Sequence, residues 1–235
     1  MIMIYSDLTL TDYIDYGLLP ITINLIIFWF VAIIFMALDD YCDTNNLLEK
    51  YKYQGRSLKK GINWEKYHKT LRLVICNQLF VNVPFSLLLT PFNKKLNDYA
   101  LPYIYLPFQI IGILLVEDVI FYAVHYAIHT KFLYKHIHAI HHEWTAPVAV
   151  RALYSHPIEH ICGNVLPVLI TGYMFRLDWF CYNIWFNMAT FNALIVHSDY
   201  NICGFGEGHD KHHKYRKYQY GALGVVDMLL GTYYC

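Results

Sequence analysis

The sequence predicts an all-α integral membrane protein of four to five transmembrane helices, with a histidine-rich helical cap on the cytoplasmic side. Three observations lead there. Of 235 residues, 57% are hydrophobic and only 15% charged, which is too apolar for an ordinary soluble domain. Residues 17–38 form a run of 22 without a charge, longer than the roughly 20 that a spanning helix needs. Twelve of the 13 histidines fall between positions 125 and 213, most of them at helical spacing. Formal net charge is zero, so no global field recruits nucleic acid. The six cysteines are dispersed without a Cys-x-x-Cys pair, which indicates reduced thiols rather than a disulfide framework or zinc ribbon.

Taken in order, the chain opens with Asp7, Asp12 and Asp15 and no basic residue before the first apolar run. That is the wrong flank for a cleavable signal, so the run is expected to persist as a spanning helix. Between positions 39 and 72 lie Lys50, Lys52, Arg56, Lys59, Lys60, Lys66, Lys69 and Arg72, eight of the 18 basic residues. By the positive-inside rule this segment faces the cytoplasm. Apolar runs at 73–90, containing Pro84, and at about 103–122 flank a short polar turn. They read as a helical hairpin that returns the chain to the cytoplasmic side where His125 appears. Residues 162–196 are apolar but broken at Arg176-Leu177-Asp178, which predicts two tilted or shortened helices. Residues 1–114 are thus expected to form transmembrane helices with a basic cytoplasmic segment, and 115–235 to form the histidine-bearing domain.

His125 and His129 are four apart; His138, His141, His142 and again His209, His212, His213 follow the spacing zero, three, four. Residues three and four apart share a helical face, so each group is expected to present imidazoles to a common point. Crowding eight imidazoles without a cation leaves polar groups unpaired at roughly 1 to 3 kcal/mol each. Neutral imidazole is a ligand for iron, zinc and copper. Since a zinc site closes with at most four protein ligands, eight histidines imply a dinuclear metal site, and ligation by nitrogen alone leaves iron and zinc both open. Asp118, seven residues before His125, lies on the same stripe and is expected to hold an imidazole N–H. His136, two residues from His138, should point away.

The three boxes in this order resemble the fatty acid hydroxylase/sterol desaturase superfamily. The surroundings strengthen the likeness: Glu117-Asp118 before the first box, His-His-Glu-Trp-Thr-Ala-Pro at 141–147, Tyr154-Ser155-His156-Pro157, His197-Ser198-Asp199-Tyr200, and Gly221 leading to Asp227 and Gly231-Thr232. The likeness is nearest the 4-methylsterol oxidase and sterol desaturase branch and covers about residues 115–232. It implies an endoplasmic-reticulum enzyme with two iron ions, or zinc as isolated, and dioxygen as co-substrate. It also implies a sterol or fatty acyl substrate, and electrons from cytochrome b5 and its NAD(P)H-dependent reductase. Asp118 and Asp227 would support the ligands from behind. Two six-coordinate ions offer about twelve positions, which leaves room beyond the boxes. His197, at the end of an apolar helix and in the family's His-Ser motif, is the first further ligand expected. His156 is second, since Pro157 favours a helix's first turn; His160 is third. The competing readings are an inactive membrane scaffold with a structural di-metal site, and a metal transporter.

Overall fold

The computed structural model describes residues 7–45, 49–54, 64–144, 148–202, 204 and 206–234. Arg56, Lys59 and Lys60 of the basic segment, Thr145-Ala146-Pro147 of the motif after the second box, Cys203 and Cys235 lie outside these. Among the described residues the chain is helical, with a single isolated bridge between Lys52 and Tyr200. The helices used below are α1 (Leu19–Asn45), α2 (Trp64–Asn77), α3 (Leu106–Ile128), α4 (Lys131–His136), α5 (Leu166–Met174), α6 (Trp179–Val196), α7 (Glu207–Tyr215) and α8 (Val225–Leu230).

Among the described residues, three continuous helical stretches are long and apolar enough to cross a membrane: Leu10–Tyr41, Glu65–Leu88 and Tyr103–Ile128. The first and third are apolar nearly all round, and large side chains such as Phe30 and Phe108 stand exposed on them, as expected of helices whose outer face meets lipid; the second begins as a charged amphipathic helix and becomes apolar toward its end. Residues 162–196 do divide into two helices, α5 and α6. The break is built by Arg176 in the left-handed region and by Asp178, which caps α6 by accepting from the N–H groups of Phe180 and Cys181. Helix α5 continues without a break from the turn at Pro157 through the π turn His160–Val165, but Glu159, His160 and Asn164 make that stretch too polar for a free-standing span. Helix α6 is long enough but carries Asn187 and Thr190, both of which receive the Asn24 side-chain amide of α1. Such bonds join helices where water is absent. Among the described residues, the three stretches named above are thus the ones that meet the length and composition of a free-standing membrane helix.

Prolines shape these helices in a repeated way. Single π turns occur at Ile14–Leu18, Gln78–Asn82 and His160–Val165, each ending two residues before a proline: Pro20, Pro84 and Pro167. A proline lacks the N–H that would bond four residues back and its ring crowds that carbonyl. Widening the preceding turn accommodates both effects without breaking the helix.

At one end of the spans, Phe28, Ala32 and Phe35 of α1, Tyr67 and Val74 of α2 and Leu194 of α6 pack around the buried segment Ala149–Leu153. Arg151 within it is fully buried and donates to the carbonyls of Trp144 and His141. Burial lowers its guanidinium to about 9, so it stays charged at neutral pH and clamps the turn between those carbonyls. The described residues of the basic segment lie at this same end. Lys52 pairs with Asp39 at 2.6 Å, and Lys66 and Lys69 reach the Glu143 carbonyl and carboxylate.

Candidate metal centre

The histidines arrive from four elements at that end. His125 lies on the last turn of α3 and His129 caps it. His138, His141 and His142 lie on a 3-10 turn, His138–Glu143, rather than on an α-helix. His197 caps α6, and His209, His212 and His213 lie on α7. A left-handed Gly206 opens α7, and a Cβ there would meet the Val196 backbone at 3.0 Å, so glycine lets the start of α7 lie directly against the end of α6.

Each three-histidine box divides between two centres instead of converging on one point. His125, His129, His138, His142 and His212 form one cluster; His141, His197, His209 and His213 form the other. In each, one ligand atom per residue lies within 4.8 Å of all the rest. The split has a local cause. On the 3-10 turn, His138 and His141 stack at 5.3 Å and continue into different clusters, while on α7 the i, i+4 pair His209 and His213 turns to one side and His212 to the other.

Nitrogen spacing supports ligation. The Nε2 atoms of His129 and His212 are 3.0 Å apart, those of His138 and His142 2.9 Å, and those of His142 and His212 3.1 Å. In the second cluster His197 and His209 are separated by 2.8 Å, His209 and His213 by 3.0 Å, and His141 and His197 by 3.3 Å. For metal–nitrogen bonds of about 2.1 Å, ligands at right angles stand about 3.0 Å apart.

The opposite ring nitrogens are anchored. His125 Nδ1 faces the Tyr220 carbonyl at 2.8 Å, His212 the Tyr218 carbonyl at 2.7 Å, His141 the Tyr154 carbonyl at 3.2 Å and His197 the Ala193 carbonyl at 2.7 Å. A carbonyl only accepts, so these Nδ1 atoms carry the proton and each Nε2 presents a lone pair. His141 and His197 therefore aim two lone pairs at each other with no proton between them. A cation between them turns that repulsion into coordination, and the donor set fits one. Burial, with neighbouring imidazoles adding to it, holds His141, His209, His212 and His213 well below the ordinary value and His129 and His197 near about 3. All are neutral and ready to ligate at pH 7.

Protonation in the unfolded chain sets an acid limit. There these histidines titrate near 6.5, against about 3 for His129 and His197 when folded, so between those values the unfolded state binds more protons. Stability of the metal-stripped protein is full above about pH 6.5 and is lost as pH falls toward about 3. Melting temperatures of chelator-treated, detergent-solubilised protein should fall through that window; a level profile would contradict the assignment.

The two aspartates act one step further back than the sequence suggests. Asp118 is wholly buried and accepts not an imidazole N–H but the backbone N–H groups of Leu223, Gly224 and Val226, at the start of α8. Asp227 accepts from Tyr220 N, Gly221 N and Thr232 Oγ1. Together they hold the segment whose Tyr218 and Tyr220 carbonyls fix His212 and His125. Gly221 passes between them: a Cβ there would meet Asp118 Oδ1 at 2.5 Å and Asp227 Oδ2 at 2.9 Å.

The carboxylate that does meet a candidate ligand is Glu159, whose Oε1 lies 2.8 Å from His138 Nδ1. Burial pushes it well above the usual carboxyl range, and a cation beyond the ring would favour its anion. Sequence spacing pointed to its neighbour instead. His156 caps the short helix Pro157–Glu159 as expected, but its Nδ1 accepts from Ile158 N–H and it joins neither cluster. His160 is also absent from both, held by Asn82 and Asn164. His136 is exposed, packed on Phe132. Replacing Glu159 with glutamine should weaken metal retention about 10- to 100-fold, measured by competition with a chelator, whereas His156→Ala should leave retention unchanged.

A helical bundle with two adjoining histidine clusters at one end defines a membrane-associated candidate metalloprotein. Comparison with known sequences gives the particular family: residues 110–232 match the fatty acid hydroxylase model, and the chain belongs to that family. It is 34% identical over 194 residues to fatty acid hydroxylase domain-containing protein 2 of Homo sapiens, covering 80% of this chain and 58% of that protein. Very-long-chain aldehyde decarbonylase GL1-11 of Oryza sativa subsp. japonica is 31% identical over 210 residues, 79% of this chain and 75% of that one. Methylsterol monooxygenase 1 of Gallus gallus is 29% identical over 168 residues, 66% and 53% respectively. The chain thus spans little more than half the length of several of these relatives. No solved structure matches it.

Proposed function

We propose that the protein is a membrane-bound di-iron oxygenase that oxidises a C–H bond of a lipid, with residues 115–235 as the catalytic region. The opposed lone pairs of His141 and His197, 3.3 Å apart, are the observation that supports a resident cation most directly, and family membership supports oxygenase chemistry. His125, His129, His138, His142 and His212 would hold one iron and His141, His197, His209 and His213 the other. Two iron ions supply dioxygen reduction: with two electrons and two protons, one oxygen atom enters the C–H bond as an alcohol and the other leaves as water.

The chain's own part is positioning and protection. Backbone carbonyls and Glu159 fix the ring tautomers, Asp118 and Asp227 fix the carbonyls at 218 and 220, and the packed core around Ala149–Leu153 keeps water from the clusters. Electrons would come from a cytochrome b5-type protein and its NAD(P)H-dependent reductase, docking at the basic end. That end would lie on the cytoplasmic face of the endoplasmic reticulum membrane, because the described residues of the basic segment at 50–72 lie there. The purified protein should hold about two iron ions per chain and consume dioxygen when given reductant and lipid. Tightly bound zinc with no turnover after reconstitution with iron would refute the proposal.

A further inference from the structure

Helix α8 sits at a depth that the span beside it fixes. The third span runs Tyr103–Ile128, and α8 is fastened to it at both ends. Asp118 accepts the N–H groups of Leu223, Gly224 and Val226 where α8 begins, and Tyr122 Oη lies 3.3 Å from Thr232 Oγ1 just past its end. The span is about 38 Å long against a hydrocarbon layer of roughly 30 Å, so at most about 8 Å of it protrudes. Asp118 lies about 22 Å along the axis from Tyr103 and about 15 Å inward of Ile128. On either count the start of α8 is at the depth of the acyl chains.

Side chains and backbone both suit that depth. Leu223, Val225, Met228, Leu229 and Leu230 are exposed, Leu229 by 79%. Irregular backbone persists in hydrocarbon only where its polar groups are satisfied within the protein. The two buried carboxylates do this: Asp118 takes the three N–H groups at the start of α8, and Asp227 takes those of Tyr220 and Gly221 with the Thr232 hydroxyl. Past α8, Thr232 N and Tyr233 N donate to the Asp227 carbonyl, and Gln219 N donates to that of Thr232. Just before this turn the surface changes character. Lys214, Tyr215, Arg216 and Lys217 are exposed in succession, and among the described residues no carboxylate pairs with the three bases. Tyr215 stacks on Tyr234 at 5.0 Å and Tyr218 meets the same ring at 5.3 Å. Tyrosine collects at membrane–water interfaces, and clustered Lys and Arg attract anionic headgroups.

We propose that residues 214–234 form a wedge in the leaflet on the histidine side, with α8 among the acyl chains and Lys214, Arg216 and Lys217 on the headgroups of anionic phospholipid. This surface stands apart from the oxygenase reading, since it rests on the third span and on residues 214–234 alone. It also sets the membrane beside the five-histidine cluster: the Tyr218 and Tyr220 carbonyls, which orient His212 and His125, lie between the basic collar and the wedge.

The test uses the full chain in phosphatidylcholine nanodiscs containing phosphatidylserine that carries a photoactivatable diazirine midway along one acyl chain. After irradiation, peptide mass spectrometry should find adducts on Met228, Leu229 or Leu230, as on Phe108 of the third span in the same sample. Adducts on Phe108 with none on α8 overturn the wedge, whether water or another protein segment covers that helix. For the headgroups, phosphatidylserine and phosphatidylcholine are offered at equal mole fraction in detergent, and the lipid retained is counted by native mass spectrometry. The serine lipid should be retained at least about five-fold over the choline lipid. Lys214→Gln with Lys217→Gln should bring that ratio toward one while the α8 adducts persist; Arg216 stays in place because its Nη2 reaches the His142 carbonyl at 3.4 Å. Equal retention of the two lipids by the wild-type chain overturns the headgroup assignment without recourse to any variant.

Discussion

Replacing His209 with alanine should lower the bound metal from two ions per chain to one and reduce lipid oxidation to background. His209 Nε2 stands 2.8 Å from that of His197 and 3.0 Å from that of His213, so it occupies the middle of the four-histidine cluster. Three ligands remain, and the cluster is buried beside the charged Arg151, which disfavours a weakly held cation. The five-histidine cluster contains none of these four residues and should keep its ion. His136→Ala, on the exposed side, should retain both. Metal content by inductively coupled plasma analysis separates the outcomes: loss of both ions from the His209 variant would mean that the clusters form one cooperative site, and loss of neither that His209 is no ligand.

Asp118→Leu should be the most damaging change away from the histidines. It strips the acceptor from three backbone N–H groups, those of Leu223, Gly224 and Val226. A buried donor left unpaired costs about 1 to 3 kcal/mol, so the expected loss is several kcal/mol, a large part of a domain's stability. The damage should reach the metal unevenly. The Tyr218 and Tyr220 carbonyls hold His212 and His125, both in the five-histidine cluster, so retention there should fall at least as far as for a lost supporting group, about 10- to 100-fold. The four-histidine cluster, anchored through Tyr154 and Ala193, should be spared. Asp118→Asn keeps one accepting oxygen and should fall between. A melting temperature equal to wild type would refute the role given to Asp118.

The gathering of the histidine boxes was legible because helical spacing is local: the i, i+4 pairs His125 and His129, His138 and His142, and His209 and His213 each stay together in one cluster. His197 was legible for a similar reason, at the end of an apolar run. The division of each box between two centres was not, since it depends on which way α7 faces the 138–143 turn, a matter of tertiary packing. His156 shows the limit within one residue. Pro157 correctly predicted a helix start, but the lone pair of His156 Nδ1 is used on the cap. Asp118 was expected to hold an imidazole N–H, yet its partners are backbone groups 105 to 108 positions away, beyond any local pattern. Glu159 carried no spacing signal and becomes visible only when the short helix it ends sets it beside His138. The number of spans is less legible, because composition cannot tell asparagine facing lipid from asparagine facing another helix, as Asn187 does toward Asn24.

The π turns give this fold an unusual tolerance for a change in length. A residue removed from an ordinary helix swings everything beyond it by about 100°. Within 78–82 the chain already carries one residue more than an α-helical path requires, so a deletion there can be absorbed by relaxing the turn, leaving the downstream face in phase. The casualty would be Asn82 alone, drawn back from His160 while α2 stays seated. Length variation at this point would thus loosen His160 and leave the scaffold intact.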